Sequence, residues 1–182
     1  MNIEVRALCP ERTEDFLSFF DNAAFTDNPD WSGCYCSFFY FCDEEFENRT
    51  GADNREFAKQ AIKEADMNGY LAYADNKPVG WINADSKKSY KRLPKTQADE
   101  KVYSVVCFTI APGYRRQGIA GMLLSAAIEG AQKKGYTCVE AYPVKDAKTD
   151  AHNYHGPLEL YKRTGFEIVS ETEDAWVIRK SL

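Results

Sequence analysis

Between Arg12 and Arg49 the chain has no lysine or arginine, yet Glu14, Asp15, Asp21, Asp27, Asp30, Asp43, Glu44, Glu45 and Glu47 place nine acids there. That stretch carries −9 against −5 for the whole chain, so the rest carries +4, and the two regions suit partners of opposite charge. The net charge also lacks the excess of basic side chains by which phosphates are neutralised, which excludes general nucleic-acid binding. No apolar run reaches the ~18 residues of a membrane-spanning helix, so no membrane partner is expected. The N-terminal stretch, with Glu4, Glu11, Glu14 and Asp15, has no signal-peptide pattern, which points to the cytoplasm. Histidine is scarce, with only His152 and His155, and neither is near Cys34, Cys36 or Cys42 in the chain. Those three cysteines have no usual zinc spacing, and no metal site is expected. The six cysteines are spread through a chain too large to need staples, so they read as free thiols.

The 182 residues are 44% hydrophobic and 28% charged, the composition of one globular domain over residues 1–182. Its most informative stretch is the joint at Arg115-Arg116-Gln117-Gly118-Ile119-Ala120. Val102–Ile110, rich in β-branched and aromatic residues and stopped by Ala111-Pro112-Gly113, reads as a buried strand. Ile119, Met122, Leu123, Ala126 and Ala127 then fall on one helical face. A helix start offers unpaired N–H groups and the positive end of a dipole to an anion, and Gly118 removes the side chain that would hold a phosphate away. Arg115 and Arg116 add forked donors. An ordinary strand-to-helix joint with solvated arginines fits the same local pattern.

The remaining elements follow from periodicity and punctuation. Asn2–Leu8 alternates as a strand, Pro10 to about Asn22 is a helix, and residues 52–67 form a second helix ended by Asn68-Gly69. Residues 70–74 and 78–83 flank Asp75-Asn76-Lys77 as a hairpin. Ser86–Glu100 reads as a surface loop, 136–142 as a strand, Pro143–His155 as a polar loop and 158–163 as a short helix capped by Gly165. Phe166–Val169 and Ala175–Arg179 close the chain as a hairpin. Phe25–Phe46 is irregular and holds eight of the 25 aromatic residues. It reads either as an aromatic wall over a pocket or as core packing of a long connection.

This element order, with Arg115, Gly118 and Ala120 in the places of a Gln/Arg-x-x-Gly-x-Gly/Ala signature, resembles the GNAT superfamily of acetyl-CoA-dependent N-acetyltransferases. Leu160-Tyr161-Lys162-Arg163-Thr164-Gly165-Phe166 is similar to the family's Leu-Tyr-x-x-x-Gly-Phe segment. The resemblance implies a mixed α/β fold whose mostly antiparallel sheet is flanked by about four helices and splayed between its fourth and fifth strands. It implies acetyl-CoA as co-substrate, its pyrophosphate held by Arg115, Arg116, Gln117, Gly118, Ile119 and Ala120. Backbone groups of Phe108, Thr109 and Ile110 would serve the pantetheine arm and the acetyl carbonyl, where a donor stabilises developing negative charge. Tyr161 would protonate the departing thiolate; a phenol near pKa 10 can do so. Many members carry Asn seven residues before this tyrosine, where this chain has Tyr154, so Asn153 beside it is the candidate cofactor contact.

An ammonium acceptor near pKa 10.4 must lose a proton before attack, at about 4.6 kcal/mol at pH 7. Glu140, beside the expected acetyl position, is the first candidate base, followed by His152 and His155. The implied activity is acetyl transfer by direct attack of a small, cationic primary amine in a ternary complex, with Trp31, Tyr35 and Tyr142 as candidate acceptor contacts. A non-catalytic acyl-CoA-binding module on the same fold is the alternative, and a homodimer is compatible with either.

Overall fold

Strand pairing begins at a turn that the sequence dictates. Asp75 and Asn76 both adopt positive φ, +47° and +67°, the geometry of a two-residue hairpin turn, and Asn and Asp tolerate it better than other side chains. They join β2 (Gly69–Ala74) to β3 (Lys77–Ser86). In the computed structural model, which describes residues 2–95, 97–149 and 151–182, seven strands form one sheet in the order β1-β2-β3-β4-β5-β7-β6. The others are β1 (Ile3–Ala7), β4 (Val102–Ile110), β5 (Cys138–Ala141), β6 (Glu167–Glu171) and β7 (Trp176–Ser181). Every neighbouring pair is antiparallel except β4 and β5, which are parallel. The mixed α/β expectation is met.

The sheet parts in its middle. Along β4, β5 pairs only with Val102–Val105 and then reaches Tyr142-Pro143, where proline cannot donate to a continuing ladder. β4 runs on to Ile110 along β3 alone. At the parting, Asn83 pairs with Cys107 while Ala84 pairs with Val105, so Val106 is an extra residue, a β-bulge. The bulge resets the alternation: Tyr103, Val105 and Phe108 pack in one core, Val106 and Cys107 in the other.

Those two cores lie on opposite faces of the sheet. One is covered by α4 (Ile119–Lys133), which buries Ile119, Leu123, Leu124, Ala127 and Ala131. Met122, expected on that face, is 40% exposed, and Leu124 takes its place. The other face is covered by α1 (Thr13–Asn22), α3 (Gly51–Lys63) and the aromatic segment between them, which contains the short α2 (Asp43–Glu47). α3 ends four residues before the expected Met67, because Ala65 turns left-handed at φ +61° and reverses the chain. α5 (Leu158–Arg163) is the short helix before β6, and Gly165 follows it at φ +85°.

Ser86–Glu100 is not a plain surface loop: Lys87, Tyr90, Leu93 and Asp99 are buried. Thr96 in this stretch and Asp150 in the 143–155 stretch lie outside the described residues. Among the described residues, no helix is long and apolar enough to cross a membrane.

Candidate functional site

A cavity of about 530 Å³ opens between the aromatic segment and the free end of β4. Phe25, Trp31, Phe38, Phe39 and Phe46 form one wall, Cys107–Ile110 with Arg115 another, and Tyr154 joins them. Both readings of the aromatic segment therefore hold. Phe39 is buried core and cavity wall at once, whereas Tyr40 is core alone. Among the described residues, Asp30, Arg49 and Arg115 are the charged ones in the lining.

Four of the nine acids of the segment form ion pairs within the chain. Asp21 pairs with Arg55, Asp27 with Arg115, Asp43 with Arg92 and Glu45 with Lys91. Asp15 accepts from the Tyr73 hydroxyl at 2.7 Å. Asp30 is the one acid of the nine that lines the cavity. The local charge run thus overstated the field available to a ligand, because the compensating bases come from α3, the 86–101 stretch and the joint before α4.

At that joint Arg116 and Gly118 sit at φ +60° and +82°. A Cβ on Gly118 would meet no atom within 4 Å, so the space over the start of α4 is open, as an anion cradle requires. Arg115 forks onto Asp27 at 2.5 and 3.1 Å and donates to the Ile110 carbonyl at 3.1 Å, which ties the joint to the aromatic segment. Gln117 bonds the Gly113 carbonyl, and Ile119 anchors the helix start in the core. Phe108, Thr109 and Ile110 all reach the cavity. The Phe108 N–H, however, donates to the Tyr154 carbonyl at 2.6 Å. Pro157 delays α5 until Leu158, so residues 153–156 form a turn instead of a helix, with Gly156 at φ +82°, and that turn fills the gap between the parted strands. Asn153 belongs to it, its carbonyl accepting from Gly156 N–H.

Tyr161 is fully buried between Phe108 and Phe166, and its hydroxyl donates to the His155 carbonyl at 2.6 Å. Burial pushes its pKa well above the usual phenol range, so it holds its proton. Glu140 differs from the free base expected. Its carboxylate is fully buried and accepts from Lys87 Nζ at 2.9 Å, Arg179 Nε at 2.5 Å and the Tyr142 hydroxyl at 2.5 Å. Three of the roughly four acceptor positions of this carboxylate are taken, two of them by cations that neutralise it, and it does not line the cavity.

Trp31 lines the cavity, its ring edge-on to His152 and Tyr154. Tyr35 does not: its ring stacks on Phe20 and its hydroxyl donates to Asp21 at 2.6 Å, on the far side of the same wall. Nor does Tyr142, whose hydroxyl donates to Glu140 and accepts from Ser104 at 2.9 Å. His152 is exposed beside Thr149. His155 is buried, and loss of hydration holds its pKa down to about 4, with a hydrogen bond to the Val106 backbone opposing. Periodicity also missed Asn83, a buried amide on β3 whose only signal was its place among Val79, Trp81, Ile82 and Ala84.

A seven-strand mixed sheet, parted between β4 and β5 beside the open start of α4, defines the class of fold. The model of the acetyltransferase (GNAT) family matches residues 23–166, and the chain belongs to that family of acetyl-CoA-dependent N-acetyltransferases. An uncharacterised N-acetyltransferase of Methanocaldococcus jannaschii is 28% identical over 113 residues, 62% of this chain and 45% of that protein. An N-alpha-acetyltransferase of Saccharolobus solfataricus is 26% identical over 133 residues, 69% of this chain and 76% of the relative. Among solved structures, the PaiA N-acetyltransferase of Thermoplasma acidophilum in complex with coenzyme A superposes over the full length of both chains, with a TM-score of 0.59 at 17% identity. A GNAT acetyltransferase of Streptococcus pneumoniae superposes over 100% of this chain and 99% of that one, with a TM-score of 0.60 at 16% identity.

Proposed function

We propose that the chain acetylates a primary amine carried on a small apolar body, which enters the cavity as an ammonium ion drawn by Asp30. The observation that carries this reading is the cavity itself, with aromatic rings on one side and the free end of β4 on the other. Aromatic faces attract a cation as well as an apolar skeleton, and the paired acids elsewhere in the segment leave one cavity carboxylate for it. Acetyl-CoA supplies the acetyl thioester. Arg116 and the N–H groups at the start of α4 hold its diphosphate. The Phe108 N–H serves the thioester carbonyl once the Tyr154 carbonyl withdraws, and Tyr161 donates the proton to the departing sulfur, attack being direct.

The test is a panel of arylalkylamines, branched alkylamines, polyamines, aminoglycosides, amino acids and peptide N-termini with acetyl-CoA. Monoamines on apolar skeletons are expected to have the highest kcat/KM, and Asp30→Asn to lower it for all cations with little change in kcat. Strict preference for anionic acceptors, or for polycations over monoamines, refutes the acceptor reading. Double-reciprocal plots that intersect indicate the ternary complex; parallel plots refute direct attack.

A further inference from the structure

The charged side chains that line the cavity are not alike. Arg115 is forked onto Asp27. Asp30 and Arg49 form no ion pair, either with each other or with any other described residue. Asp30 serves the ammonium in the reading above, which leaves a cation, Arg49, without a counter-charge in a wall built mostly of aromatic rings. Elsewhere on the same side of the sheet, Arg55, Lys91, Arg92 and Arg115 each hold a carboxylate of the acidic segment.

Arg49 is fixed in place. Its guanidinium lies 3.9 Å from the Phe41 ring centroid and 5.5 Å from that of Phe57. Nε donates to Asn54 Oδ1 at 2.7 Å and Nη2 to the Asp53 carbonyl at 2.8 Å. Asn54 is 4% exposed, and its Nδ2 donates to the Gly33 carbonyl at 2.9 Å, so its amide can turn only oxygen toward Arg49. A Cβ on Gly33 would lie 3.1 Å from Gly51 Cα, and this close approach of two glycines, both in the cavity wall, brings the 29–34 turn against the start of α3 where Asn54 bridges them.

The two bonds that Arg49 donates go to neutral oxygens and use one edge of the guanidinium. Nη1 and the second N–H of Nη2 remain, a fork that matches the two oxygens of a carboxylate. Asp53, on the adjoining turn, does not supply one: its Oδ2 accepts from Thr50 N–H at 2.8 Å and Thr50 Oγ1 at 2.6 Å and so caps α3. Arg49 precedes that cap, at the end of α3 where the helix dipole adds positive potential. The ring faces attract the guanidinium but neutralise nothing.

We propose that Arg49 is a specificity residue that binds a carboxylate on the acceptor, so that the acceptor is an amino acid with an apolar or aromatic body. Its ammonium faces Asp30, its carboxylate takes the fork of Arg49, and its skeleton lies among the rings. This rests on the amine-acceptor reading above and narrows it, since a zwitterion presents the same ammonium.

The test compares acceptors matched except for the carboxylate: phenylalanine with phenethylamine, leucine with isopentylamine, aminocaproate with pentylamine. In at least one pair, wild-type protein is expected to favour the amino acid by about 30-fold or more in kcat/KM, mainly through KM. Arg49→Gln should then cost that amino acid at least about tenfold more than it costs the matched amine, and Arg49→Lys, which keeps the charge without the fork, should fall between. Activity on the amine reports that each variant is folded, and the wild-type comparison stands without the variants. Amines acetylated with no preference for the carboxylate in any pair overturn this inference and leave the amine reading intact. Equal losses on both members of the pair make Arg49 structural and overturn it too. A fall in coenzyme A affinity as large as the fall with the amino acid assigns Arg49 to a phosphate of the cofactor and likewise overturns it. If no member of any pair is acetylated, the amine reading falls and this inference with it.

Discussion

Glu140→Gln removes one negative charge from a cluster in which Lys87, Asp99, Glu140 and Arg179 meet across the 86–101 stretch, β5 and β7. Side-chain exposure is 1% for Glu140, 2% for Asp99 and 7% for Lys87, but 39% for Arg179. The substitution keeps the shape and leaves Lys87 and Arg179 facing Asp99, with Lys87 Nζ 3.2 Å and Arg179 Nη2 3.6 Å from it. Two cations then share one carboxylate out of water. Breaking a buried ion pair by removing one partner costs about 3–5 kcal/mol, and the partial hydration of Arg179 places this case near the lower end, about 3 kcal/mol. For a chain of this size about 1 kcal/mol lowers Tm by 2–4 °C, so a fall of about 6–12 °C is expected. Thermal melts by circular dichroism, checked by urea titration, measure it. Coenzyme A binding and kcat should change little in the fraction that remains folded. If instead Tm stays within about 2 °C and kcat falls 100-fold, Glu140 is the base that its position in the sequence suggested, and the structural argument fails.

Other consequences are as specific. Gly118→Val puts a branched side chain at φ +82°, into the open space over the α4 start; coenzyme A affinity by calorimetry should fall at least tenfold, and an unchanged value would remove the cradle. Tyr161→Phe loses the bond to the His155 carbonyl at a cost of about 1 kcal/mol in stability. If Tyr161 is the acid, kcat falls 10- to 100-fold with KM kept; equal kcat leaves it a core residue. His155 binds a proton more readily unfolded, near pH 6.5, than folded, near pH 4. Its contribution to stability is therefore complete above about pH 6.5 and declines as pH falls toward 4, by up to about 3 kcal/mol. His155→Gln should flatten that slope in urea titrations between pH 4 and 7.

Local chemistry made most of the framework legible. Asp75-Asn76 specified a hairpin, the apolar run 102–110 a central strand, and the Gly118 joint the start of the helix that follows it. Leu158–Arg163 was placed to the residue. Each rests on interactions within a few positions of chain, which a single sequence displays. Where periodicity erred, a tertiary contact had overruled it. Met122 yielded its face to Leu124 because the helix rotates to fit β2, β3 and β4. The lysine-rich 86–100 stretch went inward because Glu140 and Asp99 met Lys87.

The site shows the same division. From residue order came the proposed cofactor grip, the tyrosine near the end of the chain and the aromatic segment that walls the cavity. The pairing of the acids, the bulge at Val106 and the turn that places the Tyr154 carbonyl on Phe108 N–H depend on atoms brought together from distant parts of the chain, such as Asn83 with Cys107, Asp21 with Arg55 and Phe108 with Tyr154. Glu140 shows why. On the strand alone it is a carboxylate beside the expected acetyl position. Folding surrounds it with Lys87 and Arg179 and adds the Tyr142 hydroxyl, away from the cavity. The sequence by itself determined a strand-to-helix joint suited to an anion and, through its resemblance to the GNAT family, the cofactor that goes with it, since the residues of that motif are local. That Glu140 is not left free to receive a proton was decided only by tertiary structure, because that depends on what else the side chain touches.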